Sequence, residues 1–370
     1  MDELAAIHPA RTRSIASRLA SWFDAHARAL PWRTNPRDPY RSLVSEIMLQ
    51  QTQAARVAER FEGFVARFPD LRSLASADEP DVLAAWSGLG YYRRARALHA
   101  AARQIVQRFD ARVPSDPGEL RSLPGVGAYT AGALASIVFG HPSGLVDANA
   151  ARVLLRVEGH DVDPSRGPGH RWVWDAAERL ARIAHAMGTV AQTNEGLMEL
   201  GAIRCTPRTP RCACCPLVAL CRAHAAGTQE RIPRPPRRIR RTPVGCATAL
   251  ITDHRGRVLV ERRSDDGLWS GLWQAPTVEQ PGEAPGPATL RDHLRPLVVG
   301  ALAHRCGFDH ATTHRAVRFE VYTARARPTP RDRPGKARRW IHPADLGELG
   351  VSSPQRRILL GRTPDPVARA

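Results

Sequence analysis

Apolar residues return at intervals of three and four along the first part of the chain. Leu43, Ile47, Ala54, Val57, Ala58 and Phe61 do so between Arg41 and Phe61, and the stretches Arg93 to Phe109 and Arg171 to Met187 behave alike. Such spacing gathers an apolar stripe on one face of an α-helix. Turn-forming residues at Gly88 to Gly90, Pro114 to Gly118 and Asp163 to Gly169 separate the runs, and no alternating strand pattern competes over the first 225 residues. Residues 1–230 are therefore read as an all-α domain. Beyond residue 242 the period changes. Gly245 to Thr252 and Arg257 to Arg262 are β-prone runs around Asp253-His254-Arg255-Gly256, a good hairpin turn, and Val317, Phe319 and Val321 alternate with Arg318 and Glu320. Residues 242–360 are read as a small α+β domain, 231–241 as a linker and 361–370 as a disordered tail.

A chain of 370 residues can bury two separate cores, and 43% hydrophobic content suits a globular protein. No apolar run reaches the ~18 residues of a membrane span. The start, Met1 to Ala10, contains acids and lacks a signal-peptide apolar segment, so the expected address is the cytoplasm, next to the nucleoid. The net charge of +18 sharpens the picture, because it is unevenly spread. Residues 1–230 contribute +5 and 242–370 contribute +7, while the other +6 comes from Arg231, Arg234, Arg237, Arg238, Arg240 and Arg241, interleaved with Pro233, Pro235 and Pro236. That segment reads either as a solvated linker or as a stiff, extended strip that attracts phosphate. For the whole chain the charge predicts a polyanionic partner. Of the 54 basic residues 53 are arginine, and the one lysine is Lys336. Residues 1–230 thus hold no side-chain amine able to form a Schiff base.

Cys205, Cys212, Cys215 and Cys221 stand at the spacing C-x6-C-x2-C-x5-C. Four thiolates so close in sequence match the ligand count of a [4Fe-4S] cluster or of tetrahedral zinc. Four-cysteine zinc sites usually pair two short C-x2–4-C knuckles, and only one is present, which favours iron and sulfur. With only Cys246 and Cys306 outside this region, a disulfide framework is disfavoured. Spacing alone leaves Cys214 as a rival to Cys215.

In Leu123-Pro-Gly-Val-Gly-Ala-Tyr-Thr130, Gly125 and Gly127 make a tight turn leading into an apolar helix, Ala131 to Val138. Backbone amides at such a turn can cradle a phosphate. Together with the basic charge and the downstream cysteines, the chain resembles the helix-hairpin-helix DNA glycosylases of the endonuclease III superfamily. Pro31-Trp-Arg33, Ser45-Glu-Ile-Met-Leu-Gln-Gln-Thr52, Gly88-Leu-Gly-Tyr-Tyr92 and Val146-Asp-Ala-Asn149 are most similar to the adenine DNA glycosylase family. The resemblance spans nearly the whole chain and implies a [4Fe-4S] cluster held by Cys205, Cys212, Cys215 and Cys221. Cys214 is then a bystander, and the cluster would organise a DNA-facing loop around Arg204, Arg208 and Arg211.

The same resemblance assigns chemistry to residues that otherwise read plainly. Glu46 lies beside the apolar stripe of its helix, where burial raises a carboxyl pKa, although a capping or surface role fits the sequence as well. The family's matching Glu protonates adenine as it leaves and then helps to activate water. Asp147 precedes a helix from about Asn149 to Val157 and reads as its N-cap, a place that favours an ionised carboxylate. The resemblance gives it the stabilisation of an oxocarbenium-like sugar, with Asn149 and Tyr129 as orienting neighbours. Tyr129 stands where strand-nicking relatives carry a catalytic lysine, so a monofunctional enzyme is expected. Gln51 and Tyr91 match the family's intercalating wedge. Arg28, Leu30, Trp32, Arg33, Leu49, Thr52 and Glu195 match positions around a flipped adenine, although Trp32 and Leu49 also read as core and Arg28 as a surface charge.

The second domain resembles the family's Nudix-like module through Gly267-Leu-Trp-Ser-Gly-Leu-Trp-Gln-Ala-Pro276. A Nudix hydrolase needs a glutamate-rich helix to hold magnesium, and Ala288 to Val299 offers only Asp292. The implied role is instead to read 8-oxoguanine opposite the adenine. The family does so with a Phe-Ser/Thr-His loop, whereas this chain has Thr312-Thr313-His314. Thr313 and His314 keep the hydrogen-bonding groups, and the aromatic contact is lost. The expected partner is double-stranded DNA with an A:8-oxoG or A:G mispair, bound by a monomer with no membrane involved. Two other readings are a thymine or other mispaired-base glycosylase on the same scaffold, and a non-catalytic nucleic-acid-binding iron–sulfur protein. The Gln50-Gln51-Thr52 match and the second domain favour adenine.

Overall fold

A computed structural model describes residues 4, 6–235, 240–264, 266–295, 297, 300–326 and 337–362. Part of the Arg/Pro linker, most of the 361–370 tail and Lys336 lie outside the described residues. Two compact units form: one from residues up to Ser76 and from Ala97 to the linker, the other from Ala77–Arg96 together with the C-terminal part.

Helices follow one another through the first part of the chain. They are α1 Pro9–His26, α2 Pro39–Leu49, α3 Ala54–Arg67, α4 Leu71–Ser76, α5 Glu79–Ala85, α6 Arg93–Arg108, α7 Pro117–Arg121, α8 Ala128–Ala133, α9 Ala148–Glu158, α10 Gly167–Ala186, α11 Val190–Ile203 and α12 Arg222–Ala225. The period between Arg41 and Phe61 belongs to two helices, α2 and α3, split where Gln51 takes φ +57°. The apolar helix after the glycine turn starts earlier than its sequence indicates, at Ala128, and passes into a π turn over Leu134–Val138. Gly127 is the helix's N-cap, so the turn residues themselves open the first helical turn.

The main core of the first unit brings Leu19, Trp22, Leu154, Trp172 and Leu197 from α1, α9, α10 and α11 into one cluster. On α11, Gly196 lets α1 approach, because a Cβ there would stand 2.7 Å from Leu19 O; Gly201 does the same for Asn149 at the start of α9, at 2.6 Å. Helix α2 is buried on nearly every side, with Tyr40 and all of Ser42 to Met48 inside. A helix so enclosed has no free solvent face for a misplaced polar group. Glu46 is therefore an interior residue.

In the second unit a seven-stranded sheet is built around β1 Thr242–Thr252. The others are β2 Val258–Arg262, β3 Trp273–Gln274, β4 Thr277–Pro281, β5 Ala303–Ala311, β6 Arg315–Arg325 and β7 Arg338–Ile341. Strand β1 pairs in parallel with β6 and antiparallel with β2 and β4; β3 and β7 join β2, and β5 joins β6. The β1–β2 turn falls at Asp253 to Gly256, where Asp253 Oδ1 accepts the Arg255 and Arg257 N–H groups at 2.9 and 2.8 Å. Helix α13 Pro287–His293 and helix α14 Ser353–Leu359 complete the unit. Val317, Phe319 and Val321 point into its core, as their alternation predicts.

Candidate active site

Glu46 is only 8% exposed, and its Oε2 is buried with no hydrogen-bond partner among the described residues. Burial pushes its pKa up to about 7; the Tyr129 hydroxyl opposes that rise, while the charges of Glu195 and Asp147 add to it and Arg33 opposes it. Near neutral pH this carboxyl can thus hold a proton or release one. Helices α8 and α11, the cap of α9 and the loop before α2 each place a charge or a hydrogen-bonding group on it.

Asp147 caps α9. Its Oδ1 accepts the Ala150 N–H at 2.7 Å and its Oδ2 accepts from Asn149 Nδ2 at 2.9 Å. Burial raises its pKa, and these same two donors pull it down. The anion is therefore held by a helix N-terminus and a side-chain amide against a desolvation cost. Asn149 is fixed from its other end, where Arg152 Nη2 donates to Asn149 Oδ1 at 2.8 Å. Tyr129 donates its hydroxyl hydrogen to Met198 Sδ at 3.1 Å.

Arg28, Arg33 and Glu195 meet one another through residues that the sequence reading missed. Arg28 Nε and Nη2 donate to the two oxygens of Glu199 at 2.6 and 2.9 Å. Arg33 bridges Glu195 Oε1 at 3.0 Å and Glu199 Oε2 at 3.1 Å, and Arg37 takes Glu195 Oε2 at 2.6 Å. Both glutamates are buried, and the arginines hold Glu199 down to about 2 even though its desolvation pushes the other way. A signal for Glu199 was available: Glu195 and Glu199 stand four apart in a segment, Val190–Ile203, that is otherwise mostly apolar. Met198 and Arg37 had none.

Leu49, Gln50, Gln51 and Thr52 form the break between α2 and α3. Gln51 is exposed on its positive-φ backbone, Leu49 and Thr52 are half-buried, and Gln50 Nε2 donates to Gly125 O at 3.0 Å and Thr130 Oγ1 at 3.2 Å. The glycine turn and the end of α2 are thus tied together. Gly125 needs its φ of +79°, and a Cβ there would come within 2.7 Å of the Ala97 Cβ. Trp32 is buried edge-on to Phe61 in the core, and Leu30 is half-buried.

Helix α9 also runs from Asp147 to the cysteines. Arg152 Nε donates to Cys205 O at 2.7 Å, and Arg156 donates to Thr206 O at 2.7 Å, Pro207 O at 2.8 Å and Cys205 Sγ at 3.3 Å. Cys205, Cys212, Cys215 and Cys221 line one small cavity, whereas Cys214 is exposed and lies outside its lining. Two buried polar atoms of that lining, Arg204 Nε and Gln229 Oε1, have no hydrogen-bond partner among the described residues. Burial, with Cys205, Cys221 and Cys212 as charged neighbours, pushes the Cys215 thiol up to about 11. Among the described residues no three His, Cys, Asp or Glu side chains converge on a single-ion site.

In the second unit, Tyr91 is 41% exposed on a backbone of φ +48°, and its hydroxyl shares a hydrogen bond of 3.1 Å with Thr313 Oγ1. Thr313 and His314 are exposed at the β5–β6 turn, which Thr312 closes by accepting the Arg315 N–H on its Oγ1 at 3.0 Å. Arg94 lies under the Tyr91 ring, 5.2 Å from its centroid. Elsewhere in this unit Glu261 accepts the Thr277 N–H at 2.9 Å and bonds His293 Nε2 at 2.8 Å, while Asp292 is exposed beside Arg295.

Residues 44–171 match the HhH-GPD superfamily of base excision DNA repair proteins, and residues 247–361 match the NUDIX domain. The adenine DNA glycosylase of Homo sapiens is 32% identical over 94% of this chain and 74% of its own length. That of Mycobacterium tuberculosis is 42% identical over 54% of this chain and 65% of its own. Among solved structures, a thermostable thymine-DNA glycosylase superposes with a TM-score of 0.52 at 28% identity, covering 59% of this chain and 98% of that one. An endonuclease III–DNA complex shares the fold, with a TM-score of 0.50 at 21% identity over 60% of this chain and 99% of that one. With the likeness to the human enzyme over 94% of this chain and both domain matches in the expected order, the chain belongs to the adenine DNA glycosylase family.

Proposed function

We propose that this enzyme removes adenine paired with 8-oxoguanine, or with guanine, from double-stranded DNA by hydrolysing its N-glycosidic bond, as a monofunctional glycosylase of base excision repair. The observation that carries the reading is Glu46: a buried carboxyl with one oxygen unpartnered and a pKa near 7, close enough to Asp147 for that charge to raise it. Protonated Glu46 gives its hydrogen to a ring nitrogen of adenine, which turns the base into a neutral leaving group as the bond to the sugar breaks. Asp147, anionic at its helix cap, balances the positive charge that develops on the sugar. Glu46, now a carboxylate, takes a proton from water as the oxygen adds to the anomeric carbon, and an abasic site remains. Arg33 and Glu195 border this pair, and Gln51, Tyr91, Leu49 and Thr52 are assigned to filling the gap and seating the extruded base.

With no lysine in residues 1–230, release proceeds through water, without a Schiff base. Thr313 and His314 are assigned to the base opposite, their exposed polar groups fitting the edge of 8-oxoguanine. Cys205, Cys212, Cys215 and Cys221 would hold a [4Fe-4S] cluster: they share a cavity that excludes Cys214. A cluster takes one thiolate per iron, whereas zinc would draw all four sulfurs onto a single ion. When bound, the cluster supplies four sulfur-bridged irons that cross-link the loop.

Single-turnover base release from A:8-oxoG, A:G and T:G duplexes tests the proposal. Adenine should leave the first two, and Glu46→Gln should stop release while duplex binding persists. Release of thymine with adenine retained would instead favour the thymine-glycosylase reading, which the similarity to a thymine-DNA glycosylase keeps in play.

A further inference from the structure

Tyr91 is exposed and yet held. Its backbone sits at φ +48°, where a residue with a bulky side chain is uncommon, between Gly90, at φ +72°, and the start of α6. Such a residue persists only where its surroundings over-determine it. Three consecutive carbonyls of this loop accept hydrogen bonds from one residue. Arg94 Nη2 donates to Leu89 O at 3.3 Å and to Gly90 O at 3.1 Å, and the Arg94 backbone N–H donates to Tyr91 O at 2.8 Å. The guanidinium also lies against two rings, 5.6 Å from the centroid of Trp86 and 5.2 Å from that of Tyr91. Trp86, fully buried, donates its Nε1 hydrogen to Gly90 O at 3.0 Å and fixes the same loop from below. Arg94 is 6% exposed, and burial lowers its pKa to about 10, which leaves it charged near neutral pH. Burying a cation is unfavourable; the carbonyl oxygens and ring faces around this one offset part of that cost.

We propose that Arg94 is a positioning residue that holds Tyr91 in its exposed, strained conformation, so that the ring enters the base stack with no prior rearrangement of its backbone. The inference rests on Tyr91 filling the gap left by the extruded base. The hydroxyl end of Tyr91 is bonded to Thr313, and the ring is set against Arg94, so the side chain is ordered during folding and that cost does not fall on DNA binding. With the guanidinium removed, Leu89 O and Gly90 O each lose a donor and the Tyr91 ring loses its cation. The strained φ is then no longer favoured over the ordinary negative range, and the ring spends less time where it can insert.

The test is stopped-flow fluorescence with full-length enzyme and a duplex that carries 2-aminopurine beside an A:8-oxoG pair, since that base brightens as its stacking is broken. Arg94→Met, Arg94→Lys, Tyr91→Leu and the two Arg94 substitutions combined with Tyr91→Leu are compared with the parent. Arg94→Met should slow the fluorescence rise by about tenfold, and single-turnover adenine release with it, while affinity for a matched duplex stays within about twofold. Lysine keeps the charge without the flat face of the guanidinium, so Arg94→Lys should slow the rise by about threefold. In the Tyr91→Leu background both losses should vanish, because the only path from Arg94 to the DNA has been removed. A loss that persists at full size in that background marks Arg94 as a general support of the fold and overturns the proposal, as does an Arg94→Met protein that matches the parent. If Arg94→Met does not fold, Arg94→Lys decides: an unmoved rate, or a loss independent of Tyr91, overturns it. A Tyr91→Leu protein that matches the parent would instead remove the gap-filling role of Tyr91 itself, so the two failures are separable.

Discussion

Glu46 is held where its ionised form is disfavoured, and the sign of the consequence can be worked out. Its folded pKa, about 7, lies above the ordinary value of 4.5, so the folded state holds a proton that the unfolded chain has lost. Stability contributed by this group is fully present below about pH 4.5 and declines as pH rises towards 7. Glu46→Gln should therefore raise the unfolding free energy at pH 8 by at most about 3 kcal/mol, and the thermal midpoint with it, and the gain should shrink in acid; calorimetry across pH checks this. Glu199 behaves in the opposite sense. Its pKa is depressed to about 2, so its contribution is present above about pH 4.5 and is lost as pH falls towards 2. Thr312 offers a third test at this scale. Thr312→Phe trades the cross-turn bond to Arg315 for an aromatic face beside Thr313 and His314, and should raise the preference for A:8-oxoG over A:G by about threefold or more in paired single-turnover assays.

At the scale of elements, helix periodicity revealed the helices that lie on the surface of a core and understated those inside it. Helix α2 shows why. Leu43 and Ile47 mark one stripe, yet the helix is buried nearly all round, and its polar residue faces a built interior site. Helix α11, mostly apolar with buried Asn194, Glu195 and Glu199, gave no amphipathic signal and so stayed unread. The hairpin turn, the N-cap Asp147 and strand β6 were legible because each depends on local chemistry. Strands β3, β4, β5 and β7 were not, since they exist through pairing with distant residues. Gly201→Ala probes a contact between elements. Its Cβ would press on Asn149, which positions Asp147, so single-turnover release should slow by about tenfold or more while duplex affinity changes little. In the cysteine loop, Cys214→Ser should keep the iron content and visible absorbance of the purified protein, and Cys215→Ser should reduce both.

For the molecule as a whole, a net charge of +18 predicts duplex affinity dominated by released counterions. Raising salt from about 50 to 200 mM should weaken binding by at least about a hundredfold for mispaired and matched duplexes alike, with little effect on the ratio between them. By itself the sequence determined the two-domain order, the family and the four-cysteine motif, and it singled out Glu46 and Asp147 as candidates, because local turn chemistry, cysteine spacing and motif residues are written in consecutive positions. Only the tertiary structure decided that Glu46 is buried with its pKa raised, that Glu199 and Arg37 complete the arginine–glutamate lattice, that Met198 Sδ lies 3.1 Å from the Tyr129 hydroxyl, and that Cys214 lies outside the cavity. Burial and the direction of a hydrogen bond depend on what other helices bring alongside a residue. No spacing along the chain encodes them.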